Sequence, residues 1–138
     1  MVRPLNIFLS HGTAETEFAR ALADKLSKAG FSVWRESEVL PGDNWGEKVG
    51  QALERADAMV VLISPSALES PWFTREIEYA LGNERFEGRF IPVMVKPTPA
   101  RRIPWILQHL NLMEVRDPGK AGREVAKMLT AAEQSNGR

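Results

Sequence analysis

The apolar residues of this chain concentrate in five short runs, at 5–9, 31–34, 58–63, 90–95 and 110–115, separated by stretches in which apolar positions recur every three or four residues. Predominantly apolar runs of that length read as strands buried on both faces, and the stretches between them as amphipathic helices. Between the first two runs, Ala14, Phe18, Ala21, Leu22, Leu26 and Ala29 keep helical spacing, with Thr13 in place to act as N-cap and Gly30 to end the helix. Asn44 followed three residues later by Glu47 is a capping-box pattern, ahead of Val49, Ala52, Leu53 and Ala56 on one face. Ser70-Pro71 reads as an N-cap followed by proline at the first helical position, with Phe73, Ile77, Ala80 and Leu81 as the inward stripe. Val125, Met128, Leu129 and Ala132 mark a closing helix. Strands alternating with helices in this way predict a flavodoxin-like α/β three-layer sandwich, a five-stranded parallel sheet with helices on both faces and right-handed crossovers. Pro92 removes a ladder donor from the fourth run, so that strand should be bulged or at an edge there. Residues 96–109, with Pro97, Pro99 and Pro104, leave room for a short helix at most. The whole reads as one domain over 1–134, with 135–138 as a frayed tail.

Composition narrows the chemistry. The chain has 138 residues, 43% of them hydrophobic, which fills one ordinary core. Zero cysteines exclude disulfide scaffolds, thiol nucleophiles and iron–sulfur or zinc–thiolate sites, and two histidines, His11 and His109, leave little for a metal site, so none is expected. Eighteen basic against eighteen acidic side chains give no net field for nucleic acid or an anionic membrane. Residues 1–69 hold seven basic and ten acidic groups, and 70–138 eleven and eight, a mild asymmetry suited to head-to-tail contact between copies. No long apolar stretch or cleavage signal opens the sequence, so a cytoplasmic domain without a membrane span is the expectation.

In an open α/β sheet, ligands bind beyond the carboxyl ends of the strands. The loops to question are therefore 10–15, 35–43 and 64–72. The first has neither the glycine fingerprint of a dinucleotide-binding turn nor a P-loop. A phosphoacceptor receiver would need an aspartate ending the third strand, where Ser64 stands, and an acidic pair after the first, where Ser10-His11 stands. No Gly-x-Ser-x-Gly elbow occurs. Ser10 and His11 are chain neighbours, which does not by itself make a nucleophile and its base. The third loop leads into Trp72-Phe73-Thr74-Arg75-Glu76. If Phe73 and Ile77 face the sheet, Trp72 and Glu76 lie one turn apart on an adjacent face, so that an indole and a carboxylate flank one small space. The plainer alternative is a rim tryptophan beside a solvated helix glutamate. The second loop, Trp34 to Asp43, is longer than ordinary βα connections and ends in a Pro41-Gly42 turn, so it reads as a structured projection with exposed apolar residues.

Together these residues resemble the bacterial type of Toll/interleukin-1 receptor (TIR) domain. Ile7-Phe8-Leu9-Ser10-His11 is similar to the family's first box, Phe31-Ser32-Val33-Trp34 and Leu40-Pro41-Gly42-Asp43 to its second strand and BB loop, Leu62-Ile63-Ser64-Pro65-Ser66 with Ser70-Pro71-Trp72 and Glu76 to its third strand and following helix, and Phe90-Ile91-Pro92-Val93 to its fourth strand. Each box alone is weak; four in order are specific. Glu36 departs from the family pattern, which has aspartate there, and its longer reach puts its bonding to the loop in question.

The resemblance implies either an NAD glycohydrolase, in antiphage defence or virulence, or a non-catalytic signalling scaffold. For the enzyme it makes Glu76 the catalytic residue and Trp72 a wall of the nicotinamide pocket, with Ser10, His11, Trp34 and Glu36 as further substrate contacts. NAD would be a substrate rather than a cofactor. The products would be nicotinamide with ADP-ribose or a cyclic ADP-ribose isomer. It also implies self-association, for which Leu40, Pro41, Gly42, Asp43 and Trp45 are the candidate contacts. A deoxyribosyltransferase-like enzyme, on a similar sheet with a glutamate, is disfavoured by the Leu40-Pro41-Gly42 loop.

Overall fold

A computed structural model describes residues 4–35, 39–110 and 112–136, with side chains up to residue 132 in the last helix. Five strands, β1 (Asn6–Ser10), β2 (Ser32–Trp34), β3 (Ala58–Ile63), β4 (Phe90–Met94) and β5 (Met113–Glu114), form one parallel sheet in the order β2-β1-β3-β4-β5. The helices are α1 (Thr16–Lys28), α2 (Trp45–Arg55), α3 (Pro71–Leu81), α4 (Trp105–Gln108) and α5 (Pro118–Asn136). Alternation along the strands divides the core in two. Ile7, Leu9, Val60, Leu62, Ile91 and Val93 pack with α1 and α5, while Phe8, Met59, Val61 and Ile63 pack with α2, α3 and α4. The predicted three-layer α/β sandwich is therefore the observed one. Among the described residues, no helix is long and apolar enough to cross a membrane.

Local signals explain where most elements begin and end. Gly30, at φ +99°, sits just past α1, with its N–H donating to the Ser27 carbonyl and that of Phe31 to the Leu26 carbonyl, the paired bonds of a Schellman stop. A side chain at Gly30 would meet nothing within 4 Å, so its cost is conformational alone. Gly30→Ala should lower the unfolding free energy by about 1–2 kcal/mol with an unchanged urea m-value. Asn44 caps α2 by accepting from the Glu47 N–H at 3.0 Å, but the Glu47 carboxylate accepts from Gln51, so only half of the expected capping box forms. Ser70 caps α3, with Pro71 at its first position.

Several expectations need correction. Thr13 does not cap α1. Residues Thr13–Glu15 form a separate 3-10 turn and the helix begins at Thr16, because the Glu15 side chain turns inward to partners on two other loops. Leu81 is exposed rather than part of the inward stripe, and Glu76 takes a place there beside Phe73, Ile77 and Ala80. The fifth run supplies only two strand residues, and α5 starts well ahead of Val125, with Asp117 bonding the Lys120 N–H at its start. It runs through Asn136, into the expected tail. Pro92 is tolerated because β5 pairs with β4 only from Val93 onward, so at Pro92 one side of the strand has no β5 partner.

Candidate functional site

The chain leaves β1 toward β2 on one side and β3 toward β4 on the other, so the strand order reverses between β1 and β3. That switch point is where an open α/β sheet parts its loops into a crevice. Ser10 ends β1 and Ser64 directly follows β3, and both are fully buried. Their hydroxyls are exchanged across the crevice. Ser10 Oγ donates to Glu76 Oε1, carried by the helix after β3, at 2.5 Å. Ser64 Oγ donates to Glu15 Oε1, carried by the turn after β1, also at 2.5 Å. Short O–H···O⁻ distances of this kind mark charge-assisted bonds.

Glu76 is 1% exposed. The solvated-glutamate alternative therefore fails: α3 places this carboxylate on the edge of its inward stripe, where the Ser10 hydroxyl takes one of its oxygens. Trp72, one turn earlier, stays 41% exposed. Its ring meets Trp45 at the start of α2 edge-on, centroids 4.3 Å apart, and the Arg75 guanidinium lies 5.4 Å from its centre. Indole and carboxylate thus sit one turn apart on one helix end, the first part-exposed and the second buried.

The remaining predicted residues distribute as follows. His11 is part-buried, its Nδ1 2.8 Å from the Gly12 carbonyl; a carbonyl only accepts, so Nδ1 carries the proton. With Ser10 donating to Glu76 and His11 to Gly12, the two do not form a nucleophile–base pair. Trp34 stacks on Phe8, centroids 4.9 Å apart and planes 22° apart, and with Leu40 and Asp43 it lines a separate cleft of about 530 Å³ between β2 and α2. Glu36 lies outside the described residues. Leu40 and Asp43 close a tight turn on each other, the Leu40 N–H donating to the Asp43 carboxylate at 2.9 Å and the Asp43 N–H to the Leu40 carbonyl at 3.0 Å. Gly42 within it has φ +94°, a conformation that favours glycine, and Pro41 beside it is exposed. Leu40 is left 65% exposed on this ordered turn. Trp45, expected at a contact with another copy, packs on Trp72 of its own chain while remaining part-exposed.

Sequence reasoning missed the second half of the exchange. Glu15 is 2% exposed, and its Oε2 pairs with Lys96 Nζ, from the loop after β4, at 2.9 Å. The only signal for it was a serine following each of two adjacent central strands, each with a glutamate on a neighbouring loop or helix; nothing in spacing tells which serine takes which glutamate.

Known proteins share the fold that carries these residues. The family model described as TIR domain matches residues 7–129. The solved structure of a metazoan TIR-STING receptor from C. gigas, in complex with 2′,3′-cGAMP, superposes with a TM-score of 0.74 at 24% identity, over 88% of this chain and 38% of that one. A curated relative, the 2′ cyclic ADP-D-ribose synthase BtTIR of Bacteroides thetaiotaomicron, is 32% identical over 81 residues, covering 57% of this chain and 28% of the relative. The NAD(+) hydrolase TcpC of Escherichia coli is 24% identical over 88 residues, covering 62% and 29%. The chain thus spans about a third of the length of these three relatives.

Proposed function

The chain belongs to the TIR-domain family, and from that premise we propose that it cleaves the nicotinamide–ribose bond of NAD, with Glu76 as the catalytic carboxylate. The observation that carries this reading is the buried Glu76–Ser10 pair at the sheet's switch point, with a part-exposed Trp72 one helical turn earlier. Relatives named as an NAD(+) hydrolase and a 2′ cyclic ADP-D-ribose synthase support it.

The chemistry needs little more than these groups. Ordinary glycoside hydrolysis requires a second carboxyl group to protonate a poor leaving group. Nicotinamide in NAD is already cationic and departs neutral with the bonding electron pair, so no general acid is needed. What remains is an oxocarbenium-like ribose, whose positive charge an ionised carboxylate in a water-poor site stabilises. The same carboxylate accepts hydrogen bonds from ribose hydroxyls, which compete with Ser10 for Glu76 Oε1. The Trp72 ring face, near which Arg75 already sits, suits a pyridinium, a contact worth about 0.5–2 kcal/mol less whatever is lost by displacing Arg75. Attack by water on the ribose carbon yields ADP-ribose and one proton; attack by an oxygen or nitrogen of the substrate itself yields a cyclic isomer.

Glu76 at 1% exposure does not meet a ribose without some opening of the crevice, which supports activation by assembly, a neighbouring copy's BB loop completing the site. The test is to incubate concentrated protein with NAD, with and without a crowding agent, and to separate nicotinamide, ADP-ribose and cyclic products by chromatography. Nicotinamide should appear and rise more than linearly with protein concentration. Its absence in every assembled state would sink the reading.

A second reading, a scaffold acting through BB-loop contacts, is favoured by the exposed Leu40 on its ordered turn. Both readings share one expectation: Leu40→Asp weakens self-association by about tenfold or more in sedimentation experiments and leaves the melting temperature nearly unchanged. A large loss of stability instead would make the loop structural.

A further inference from the structure

The geometry points to Glu15 as a positioning residue, a buried anionic hub through which Lys96 and Ser64 hold the loop that delivers Trp72 and Glu76 to the substrate. The inference rests on reading Trp72 and Glu76 as the NAD site, but its evidence lies elsewhere in the crevice.

Three loops meet on one carboxylate. Glu15 itself comes from the loop after β1; Lys96, from the loop after β4, pairs with its Oε2 at 2.9 Å; Ser64, after β3, donates to its Oε1 at 2.5 Å. Having given its only proton to Glu15, the Ser64 hydroxyl is oriented to accept, and it takes the Ala67 N–H at 3.1 Å. Ala67 begins the 3-10 turn Ala67–Glu69, and its carbonyl accepts from the Ser70 N–H at 3.0 Å. Ser70 is the N-cap of α3, two residues before Trp72 and six before Glu76. The relay therefore runs Lys96, Glu15, Ser64, Ala67, Ser70, through one ion pair and three direct hydrogen bonds. Steric contact tightens it: a Cβ on Gly12 would lie 3.2 Å from the Ala67 Cα, so the loops after β1 and β3 touch backbone to backbone.

The charge makes the hub directional. A buried carboxylate with a single hydroxyl donor is poorly compensated, and the Lys96 ammonium supplies the missing countercharge. Lys96 is itself 53% exposed, so it can be replaced without opening a cavity. Glutamine at position 15 has nearly the shape of glutamate but no charge, and its N–H₂ group faces either the Lys96 ammonium, which has no lone pair to accept it, or the Ser64 hydroxyl, reversing that bond. The first arrangement breaks the tie to Lys96, the second frees the Ser64 proton whose direction leaves a lone pair on the Ala67 N–H, and through either loss the α3 N-terminus shifts against Ser10. Misplacement of about 1 Å in such a constellation costs on the order of a hundredfold in rate.

The experiment compares Glu15→Gln, Lys96→Met and Lys96→Arg with the parent chain, each labelled with 5-fluorotryptophan, the Trp72 fluorine resonance being assigned with Trp72→Phe. Fluorine spectra, melting temperature and steady-state NAD cleavage per folded molecule are measured on the same samples. The expected result is a displaced Trp72 resonance in Glu15→Gln and Lys96→Met, with kcat lowered about tenfold or more, KM within about twofold, and both readouts restored in Lys96→Arg. If Glu15→Gln does not fold, Lys96→Met decides alone. An unmoved Trp72 resonance in the folded variants, or kcat per folded molecule equal to the parent's, overturns the inference and leaves Glu15 a purely structural anchor. Where the parent chain releases no nicotinamide, the resonance alone decides: moved in the variants, it upholds the positioning role and removes the NAD reading instead.

Discussion

Glu76→Gln should leave a folded domain that has lost nicotinamide release by about a hundredfold to a thousandfold, the range seen when a single preorganised electrostatic contact to a transition state is removed. Glutamine preserves the side chain's volume and an oxygen that accepts from Ser10 Oγ, so the 2.5 Å bond is weakened rather than abolished and the core around Phe73, Ile77 and Ala80 is not opened. Unfolding free energy should stay within about 1.5 kcal/mol of the parent, as for the net worth of one hydrogen bond. The loss should appear in kcat, because the carboxylate's charge matters most when the ribose becomes cationic. Glu76→Asp retains the charge but withdraws it by one methylene, and it should rescue only part of the rate. Chromatographic assay of nicotinamide, with a urea titration of each variant, checks both halves. Equal release by Glu76→Gln and the parent would remove the carboxylate from the mechanism, whatever else the site does.

The largest effect on stability should come from Phe8→Ala, at about 3–5 kcal/mol, a major part of the roughly 5–15 kcal/mol that holds a domain of this kind. Phe8 is fully buried in β1, the strand next to central β3, on the face packed by α2 and α3, and it is among the largest side chains with no exposure at all. It also stacks on Trp34, which belongs to a three-residue edge strand paired only with β1. Removing the ring opens a cavity and takes away the aromatic contact that anchors β2. A urea titration should therefore show a lower midpoint at constant m-value, and hydrogen exchange should show the Ser32 and Trp34 amides, which face β1, losing protection by more than the global change. A loss below about 1 kcal/mol would mean that the neighbouring helices close over the gap.

Much of this molecule is legible from periodicity because its driving terms are local or one-dimensional. The run at 58–63 became a six-residue strand buried throughout, since a central parallel strand has no polar face to offer. Ser70-Pro71 and Gly30 mark helix ends because capping bonds and positive φ are satisfied within a few residues of chain. Where the reading slipped, a distant partner was the cause. The helix after β1 starts at Thr16 because Glu15 is drawn toward Ser64 and Lys96, residues 49 and 81 positions away in sequence, and the fifth run shortens to two residues, which pair with β4 only beyond Pro92.

The candidate site divides along the same line. Sequence alone determined that an indole and a carboxylate lie one turn apart at the start of a helix that follows the central strand, because helical spacing is a property of the chain by itself. It also determined that the loop ending in Pro41-Gly42 projects an exposed leucine, because proline and a positive-φ glycine set a turn without outside help. Only the tertiary structure decided that Glu76 is buried against Ser10 rather than solvated, that Trp72 shelters against Trp45, and that Glu15, Ser64 and Lys96 form a second exchange beside the first. Those pairings depend on the strand order, which brings the ends of β1, β3 and β4 together, and burial then makes each polar group's choice of partner compulsory. Hydrophobic period is written residue by residue along the chain; the low-dielectric crevice in which two serines must find two carboxylates exists only once the sheet has closed.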